Sequence, residues 1–135
     1  MVYITRRMSF SAAHRLHNPA LSDAENAAIY GMCNNPLGHG HNYILEVTVK
    51  SEPSARDGMI IDLVELRDLL SEHIIKKVDH KFLNSQVDFL KGVIPTAENL
   101  VTCFWDILKD KLPRGVLYEI RLFESENNSA FYRGE

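Results

Sequence analysis

Residues 33–43, CNNPLGHGHNY, place one thiol and two imidazoles among turn formers, directly ahead of a run that reads as a strand. His39 and His41 are two apart, so in extended backbone both project to the same face. His14 closes an N-terminal run of strand formers. If that run pairs antiparallel with the one entered at residue 43, the end of the first lies beside the start of the second, and His14 approaches the other two. Three imidazoles converging with a fourth position open is the catalytic pattern of zinc, which takes nitrogen ligands at about 2.0–2.1 Å. Loop histidines bonded only to water are the alternative that the residue pattern leaves open. His17 is a competing ligand three residues past His14, beyond the expected strand end. His73 falls mid-helix, as a surface or core-edge residue.

Cys33 sits among Asn, Pro and Gly and not on an apolar stripe, unlike Cys103, which fits as core filler inside a helix. Two uses of Cys33 stand side by side. It closes the zinc site as a fourth ligand, although structural sites usually carry two or more thiolates, or it accepts a proton near the metal. Asp79 and His80 end the first long helix, where the helix dipole favours a protonated imidazole; an exposed helix end is the plainer reading. Glu124 shares parity with Val116, Tyr118, Ile120 and Leu122, so it falls on the apolar face near a strand end. A carboxylate there needs a partner, which a ligand can provide, or else it stands in water at a frayed end. Glu98, in the first turn of the second helix, is accounted for by the dipole alone.

These residues need elements to position them. The chain has 135 residues, 45% of them hydrophobic and 24% charged, enough for one domain spanning 1–135 with a real core. A net charge of −3 gives no general attraction to nucleic acid or acidic membranes, which makes a small molecule the expected partner. The start is too polar for a signal peptide and no apolar run is long enough to span a bilayer. The sequence therefore predicts a cytoplasmic protein with both cysteines reduced.

Residues 2–12 and 43–50 read as half-buried strands, the second with Tyr43, Leu45, Val47 and Val49 on one face. Between them, Ser22 and Glu25 have capping-box spacing and Gly31 stands at a helix end. The spacing predicts a short strand at Met59–Ile61, then a helix from Asp62 with Leu63, Leu66, Leu70, Ile74 and Val78 as its stripe. A second helix starts at Pro95-Thr96 and buries Ala97, Leu100, Val101, Phe104, Trp105 and Leu108. Residues 116–124 alternate with Val116, Tyr118, Ile120 and Leu122 on one side, and a last strand runs from about Ala130 to Arg133. Strands and helices are segregated, which argues for an α+β fold with both helices on one face of an antiparallel sheet.

The segments SFSAAHRLHNPALSDAENAAIYG, CNNPLGHGHNY, VDHKFLN, PTAENL, LPRGVLYEIRLFE and YRGE resemble the 6-pyruvoyltetrahydropterin synthase family in its eukaryotic form, in order and over nearly the whole chain. The resemblance implies a tunnelling fold (T-fold): a four-stranded antiparallel sheet, ββααββ, with two helices on its outer face, three subunits closing a barrel and two trimers forming a homohexamer. It implies Zn2+, one per subunit, on His14, His39 and His41, with Cys33 as base. It implies that Asp79 and His80 complete a triad across a subunit boundary, that Glu124 anchors the pterin and aids the relay, and that Glu98 lies at the pterin pocket. The implied reaction converts 7,8-dihydroneopterin triphosphate to 6-pyruvoyltetrahydropterin with loss of triphosphate, toward tetrahydrobiopterin. The bacterial 6-carboxytetrahydropterin synthases of the queuosine pathway, which share fold, zinc and thiol, are the runner-up. A non-catalytic zinc-binding module is a third reading. Arg6-Arg7-Met8-Ser9 also resembles a basic-directed phosphorylation site.

Overall fold

Alternation over two long runs dictates the centre of the fold. β1 (Val2–His14) and β2 (His39–Ser51) pair antiparallel along their full length, with Val2 opposite Ser51 and His14 opposite His39. On the inner face of β2, Tyr43, Leu45, Val47 and Val49 are fully buried, as their alternation requires. Phe10 of β1 stacks on Tyr43 at 4.7 Å between ring centroids, two residue pairs on from the Ala12–His41 pair. The computed structural model describes all 135 residues.

Between the two strands, Ser22 and Glu25 form the expected capping box of α1 (Asp23–Tyr30), followed by a single 3-10 turn, Gly31–Asn34, that carries Cys33. Asn26 of α1 is fully buried. Its Oδ1 accepts from Asn18 N–H at 2.8 Å and its Nδ2 donates to Asn18 O at 2.9 Å and Ser22 O at 3.1 Å, so it locks the excursion to its own root.

The long helix begins at α2 (Leu63–Leu70), passes through a π turn at Ser71–Ile75 and ends in one α turn at Lys76–Val78. Leu66, Leu70, Ile74 and Val78 are all fully buried, whereas Leu63 is 40% exposed and lies outside the stripe. Four apolar residues in strict steps of four explain the π turn. Each such step overshoots an α-helical turn by about 40°, and one wider i→i+5 turn brings the later residues back onto the same face. Thr96 caps α3 (Ala97–Leu108), its hydroxyl accepting from Asn99 N–H. Both long helices pack on one face of the sheet, α2 over β1 and α3 over β4 (Val116–Phe123) and β5 (Ser129–Tyr132), around one core of 22 buried hydrophobic residues.

Three sequence expectations need correction. The sheet is five-stranded and mixed, not four-stranded and antiparallel, and it is open. Its order is β3-β1-β2-β4-β5, where β3 (Lys81–Phe82) runs parallel to Ala12–Ala13 of β1. The chain leaving the long helix is drawn along β1 by His80 N–H to Ser11 O and Leu83 N–H to Ala13 O. A strand of two residues has no periodicity to read. Residues 59–61 form no strand; Ile60 and Ile61 are buried as core filler ahead of α2, so that apolar run reflects burial and not pairing. On β4 the parity changes at a bulge, because Thr48 opposes Glu119 while Val49 opposes Leu117. Tyr118 is the extra residue, and Leu117 takes the core side while Val116 is exposed. Ile120, Leu122 and Glu124 keep the parity read from the sequence.

Asn26→Ala leaves the Asn18 N–H and carbonyl without their side-chain partner in a buried setting, so it should destabilise the fold by about 1–3 kcal/mol. Urea denaturation checks this; an unchanged midpoint would mean that the excursion carrying Cys33 holds itself by other contacts.

Candidate metal centre

The paired ends of β1 and β2 bring the three histidines together. His14 and His39 are direct cross-strand partners, His41 opposes Ala12, and one ligand nitrogen from each imidazole lies within 4.8 Å of the others. The separation between the Nε2 atoms of His14 and His39 is 3.1 Å. Two nitrogens on a tetrahedral ion at about 2.0–2.1 Å stand roughly 3.3–3.4 Å apart, so the spacing suits a shared cation.

The ring of His14 is oriented from behind. Its Nδ1 lies 2.8 Å from the Pro95 carbonyl, which can only accept, so Nδ1 carries the proton and Nε2 presents its lone pair. The Tyr43 hydroxyl stands 3.3 Å from the same Nδ1. Nδ1 of His39 and Nε2 of His41 are buried with no hydrogen-bond partner. Burial is the main cause that lowers the pKa of His14 and His41 below 6.5, opposed in both by the charge of Glu124. Neutral imidazoles with free lone pairs are what a metal requires. Burial, with Glu124 adding to it, pushes the Tyr43 phenol upward.

Gly38 sets the approach to this centre. At φ +76° it occupies the left-handed region, and a Cβ there would stand 2.9 Å from the Phe82 ring and 3.1 Å from the His14 carbonyl.

Cys33 lies outside the donor group, which consists of the three histidines. It is half-buried, its carbonyl accepts from Leu16 N–H at 2.9 Å, and its thiol makes no hydrogen bond within the chain. His17 is not a ligand either; its Nδ1 accepts from Asn34 Nδ2 at 2.9 Å. Glu124 Oε1 stands 3.6 Å from His41 Nε2, and Glu124 and Glu98 line the same cavity, about 620 Å³, together with Thr96, Asn127 and Asn128. The first turn of α3 and the end of β4 therefore present two carboxylates beside the histidines.

Asp79 and His80 make no hydrogen bond to Cys33 in this chain. Asp79 Oδ1 accepts from Ser11 N–H at 2.9 Å and lies 3.0 Å from His80 Nδ1. The Ser11 N–H foremost, and His80 after it, hold the Asp79 carboxyl below its usual range. His80 has φ +60° and a side chain 83% exposed. A non-glycine residue in that region is costly, commonly at about 1–3 kcal/mol, and such strain clusters at functional sites. His80 and His41 share the lining of a second cavity of about 420 Å³. The positioning roles of Pro95, Tyr43 and Asn34 escape sequence reading, although the Pro-Thr helix start, the strand alternation at Tyr43 and the 33–43 motif each mark one of the three positions.

An α+β sheet whose two central strands end in a three-histidine metal-competent cluster, beside a cavity bearing two carboxylates, defines the class. Comparison with known proteins agrees: residues 3–135 match the family model described as 6-pyruvoyl tetrahydropterin synthase. A 6-pyruvoyl tetrahydrobiopterin synthase from Poecilia reticulata is 47% identical over 133 residues, covering 98% of this chain and 90% of the relative. The protein of that name from Homo sapiens is 45% identical over 132 residues, covering 98% and 91%. The solved structure of Caenorhabditis elegans 6-pyruvoyl tetrahydropterin synthase superposes with a TM-score of 0.94 at 40% identity, covering 99% of this chain and 96% of that one. The chain belongs to the 6-pyruvoyl tetrahydropterin synthase family.

The lowered histidine pKa values set an acid limit. In the metal-free chain, unfolded imidazoles take up protons near 6.5 and the buried ones only below that, so stability should decline as pH falls from about 6.5 through the lowered folded values. Denaturation midpoints followed from neutral to mildly acidic pH should show this, and His14→Gln with His41→Gln should flatten the slope. An identical slope in the double variant would assign it to other groups.

Proposed function

We propose that the chain, acting as one domain over residues 1–135, converts 7,8-dihydroneopterin triphosphate to 6-pyruvoyltetrahydropterin with loss of triphosphate, in tetrahydrobiopterin synthesis. The observation that carries this reading is the convergence of His14, His39 and His41 beside the cavity that Glu98 and Glu124 line, within a fold shared along its length with named synthases. Zinc on the triad, one ion per chain, would polarise the hydroxyls of the substrate side chain and acidify the adjoining C–H bonds.

Glu124 supplies an anion for the pterin ring's N–H and amino groups, and Glu98 borders the same pocket. Cys33, free of the donor group, accepts the proton taken from the side chain. His80 relays it, with Asp79 fixing the ring through Nδ1 and Ser11 fixing Asp79 in turn. The net change is an internal hydrogen shift plus elimination, so it balances without a separate oxidant.

Since no hydrogen bond joins Cys33 to the Asp79–His80 pair within one chain, a neighbouring copy brings them together in this reading. Three chains forming a barrel and two such trimers stacked as a homohexamer give each boundary one site. The exposed imidazole of His80 and the open sheet edges are consistent with such contacts. A cytoplasmic setting suits the unpaired cysteines; in the chain itself, no helix is long and apolar enough to cross a membrane.

Single-turnover product analysis with the pterin triphosphate tests the reaction: 6-pyruvoyltetrahydropterin and triphosphate should form together. Cys33→Ala should keep one zinc per chain while losing turnover, and His39→Ala should lose both. An empty metal site in folded Cys33→Ala would make the thiol a ligand instead of a base.

The boundary arrangement has its own test. His80→Asn relieves the left-handed backbone, which asparagine tolerates, so it should retain stability and lose turnover. Mixing it with Cys33→Ala after dissociation and reassembly should restore activity at about one boundary in four, on the statistics of a closed head-to-tail ring. Background activity after verified subunit exchange would show that each site is built within one chain.

A further inference from the structure

A third cavity, of about 340 Å³, is built from residues next in the chain to those of the histidine triad, and its lining includes Arg15, His17 and Asn84 but no carboxylate. Its position follows from its neighbours in the chain. Arg15 directly succeeds His14 of the triad, and the wall at Val93 and Ile94 runs into Pro95, whose carbonyl orients the His14 ring.

Arg15 is immobilised without being neutralised. Asn84 grips its backbone in both directions, Oδ1 accepting from Arg15 N–H at 2.8 Å and Nδ2 donating to Arg15 O at 2.7 Å. Its guanidinium donates from Nε to the Asn34 carbonyl at 2.9 Å and, more weakly, from Nη2 to Asn34 Oδ1 at 3.5 Å. Both acceptors are uncharged. No carboxylate pairs with Arg15, in contrast to Arg67, Arg114, Arg121 and Arg133, and its Nη1 has no partner in the chain. A surface arginine normally moves freely; this one is held with its charge intact and one edge of the fork unused.

Asn34 also sets the second donor. Its Nδ2 gives a hydrogen bond to His17 Nδ1 at 2.9 Å, so the neutral ring carries its proton on Nε2. One buried asparagine thus holds both a guanidinium and an imidazole whose residues line the same cavity. In a chain of net charge −3, a carboxylate-free cavity with two fixed donors selects anions. The planar fork of arginine suits phosphate oxygens in particular.

We infer that Arg15 and His17 form a polyphosphate subsite, and that its occupant is the phosphate tail of the pterin triphosphate. The polyphosphate chemistry stands on these residues alone; the identity of the occupant rests on the proposed reaction. Arg15 and His17 would then hold the leaving group while Glu124 holds the ring, fixing the side chain at both ends against the histidine triad.

The test titrates inorganic tripolyphosphate, and separately phosphate-free 7,8-dihydroneopterin, into the zinc-loaded protein by calorimetry, with metal content verified after each run. Arg15→Gln should weaken tripolyphosphate binding roughly tenfold or more, the scale of a charged hydrogen bond. His17→Gln should weaken it less, and both should bind dihydroneopterin as the parent does. Tripolyphosphate should also compete with the pterin triphosphate. Unchanged tripolyphosphate affinity in both variants overturns the subsite and leaves Arg15 a loop clamp. If Arg15→Gln loses its fold or its zinc, His17→Gln decides by the same criterion. Arginine-dependent tripolyphosphate binding without competition overturns the substrate tail as occupant. A parent protein that binds tripolyphosphate through Arg15 but does not bind dihydroneopterin refutes the pterin reading while the anion site stands.

Discussion

The register of β1 against β2 is the constraint on which the rest depends. His14 faces His39 because thirteen consecutive residue pairs are matched, ending at that pair. Side chains alternate faces along a strand, so a slip of one residue would move a whole set from the core to the open face. Here the slip would also take His14 away from His39 and His41. The register is fixed by burial: Phe10 and Ala12 on β1, and Tyr43, Leu45, Val47 and Val49 on β2, share the inner face with the histidines. The apolar core and the histidine cluster are therefore one pattern, whose last members are imidazoles in place of hydrocarbon.

A second coupling runs across the layers. The Pro95 carbonyl that fixes His14 comes from the segment leading into α3, just before its Thr96 cap. The same first turn carries Glu98, which shares a cavity with Glu124 from the end of β4. Seating α3 on β4 and β5 therefore does three things with one contact surface. It buries Leu100, Phe104 and Leu108, it sets the tautomer of His14, and it places the two carboxylates together. A displacement of α3 would disturb ligand orientation and cavity at once, which is why packing residues distant from the histidines matter to the centre.

Much of this was legible because it rests on periodicity. The strand faces, the capping box at Ser22 and Glu25, the helix from Thr96 and the His-x-His geometry are all short-range patterns. What escaped depends on contacts distant in sequence. The two-residue β3 exists through its pairing with β1, the bulge at Tyr118 through the register with β2, and the clamp of Arg15 by Asn84 through residues 69 apart. The π turn was latent in the sequence, since the strict four-residue spacing from Leu66 to Val78 does not fit a straight α-helix. The apolar run at 59–61 misled for the opposite reason, because burial without pairing leaves the same signature as a short strand. At the site, the convergence of the three histidines could be read from spacing, whereas the separation of Cys33 from them could not.

That separation bears on the energetics of the folded chain. Buried polar atoms without partners are rare in native structures, and each costs about 1–3 kcal/mol. Three side-chain atoms here are in that condition, and two of them belong to His39 and His41. The chain thus concentrates its unmet polar demand at one point, where neighbouring groups could have met it. Glu124 stops at 3.6 Å from His41, too far for a good hydrogen bond, and the Cys33 loop is tied instead to Leu16. A closer carboxylate or thiolate would stabilise the metal-free fold and protonated imidazoles, at the expense of lone pairs free for a cation. Leaving those partners at a distance keeps lone pairs available, so that at His41 Nε2 binding a cation and relieving a buried imidazole become the same event, while at His39 the nitrogen that faces His14 is Nε2 and not the unpartnered Nδ1.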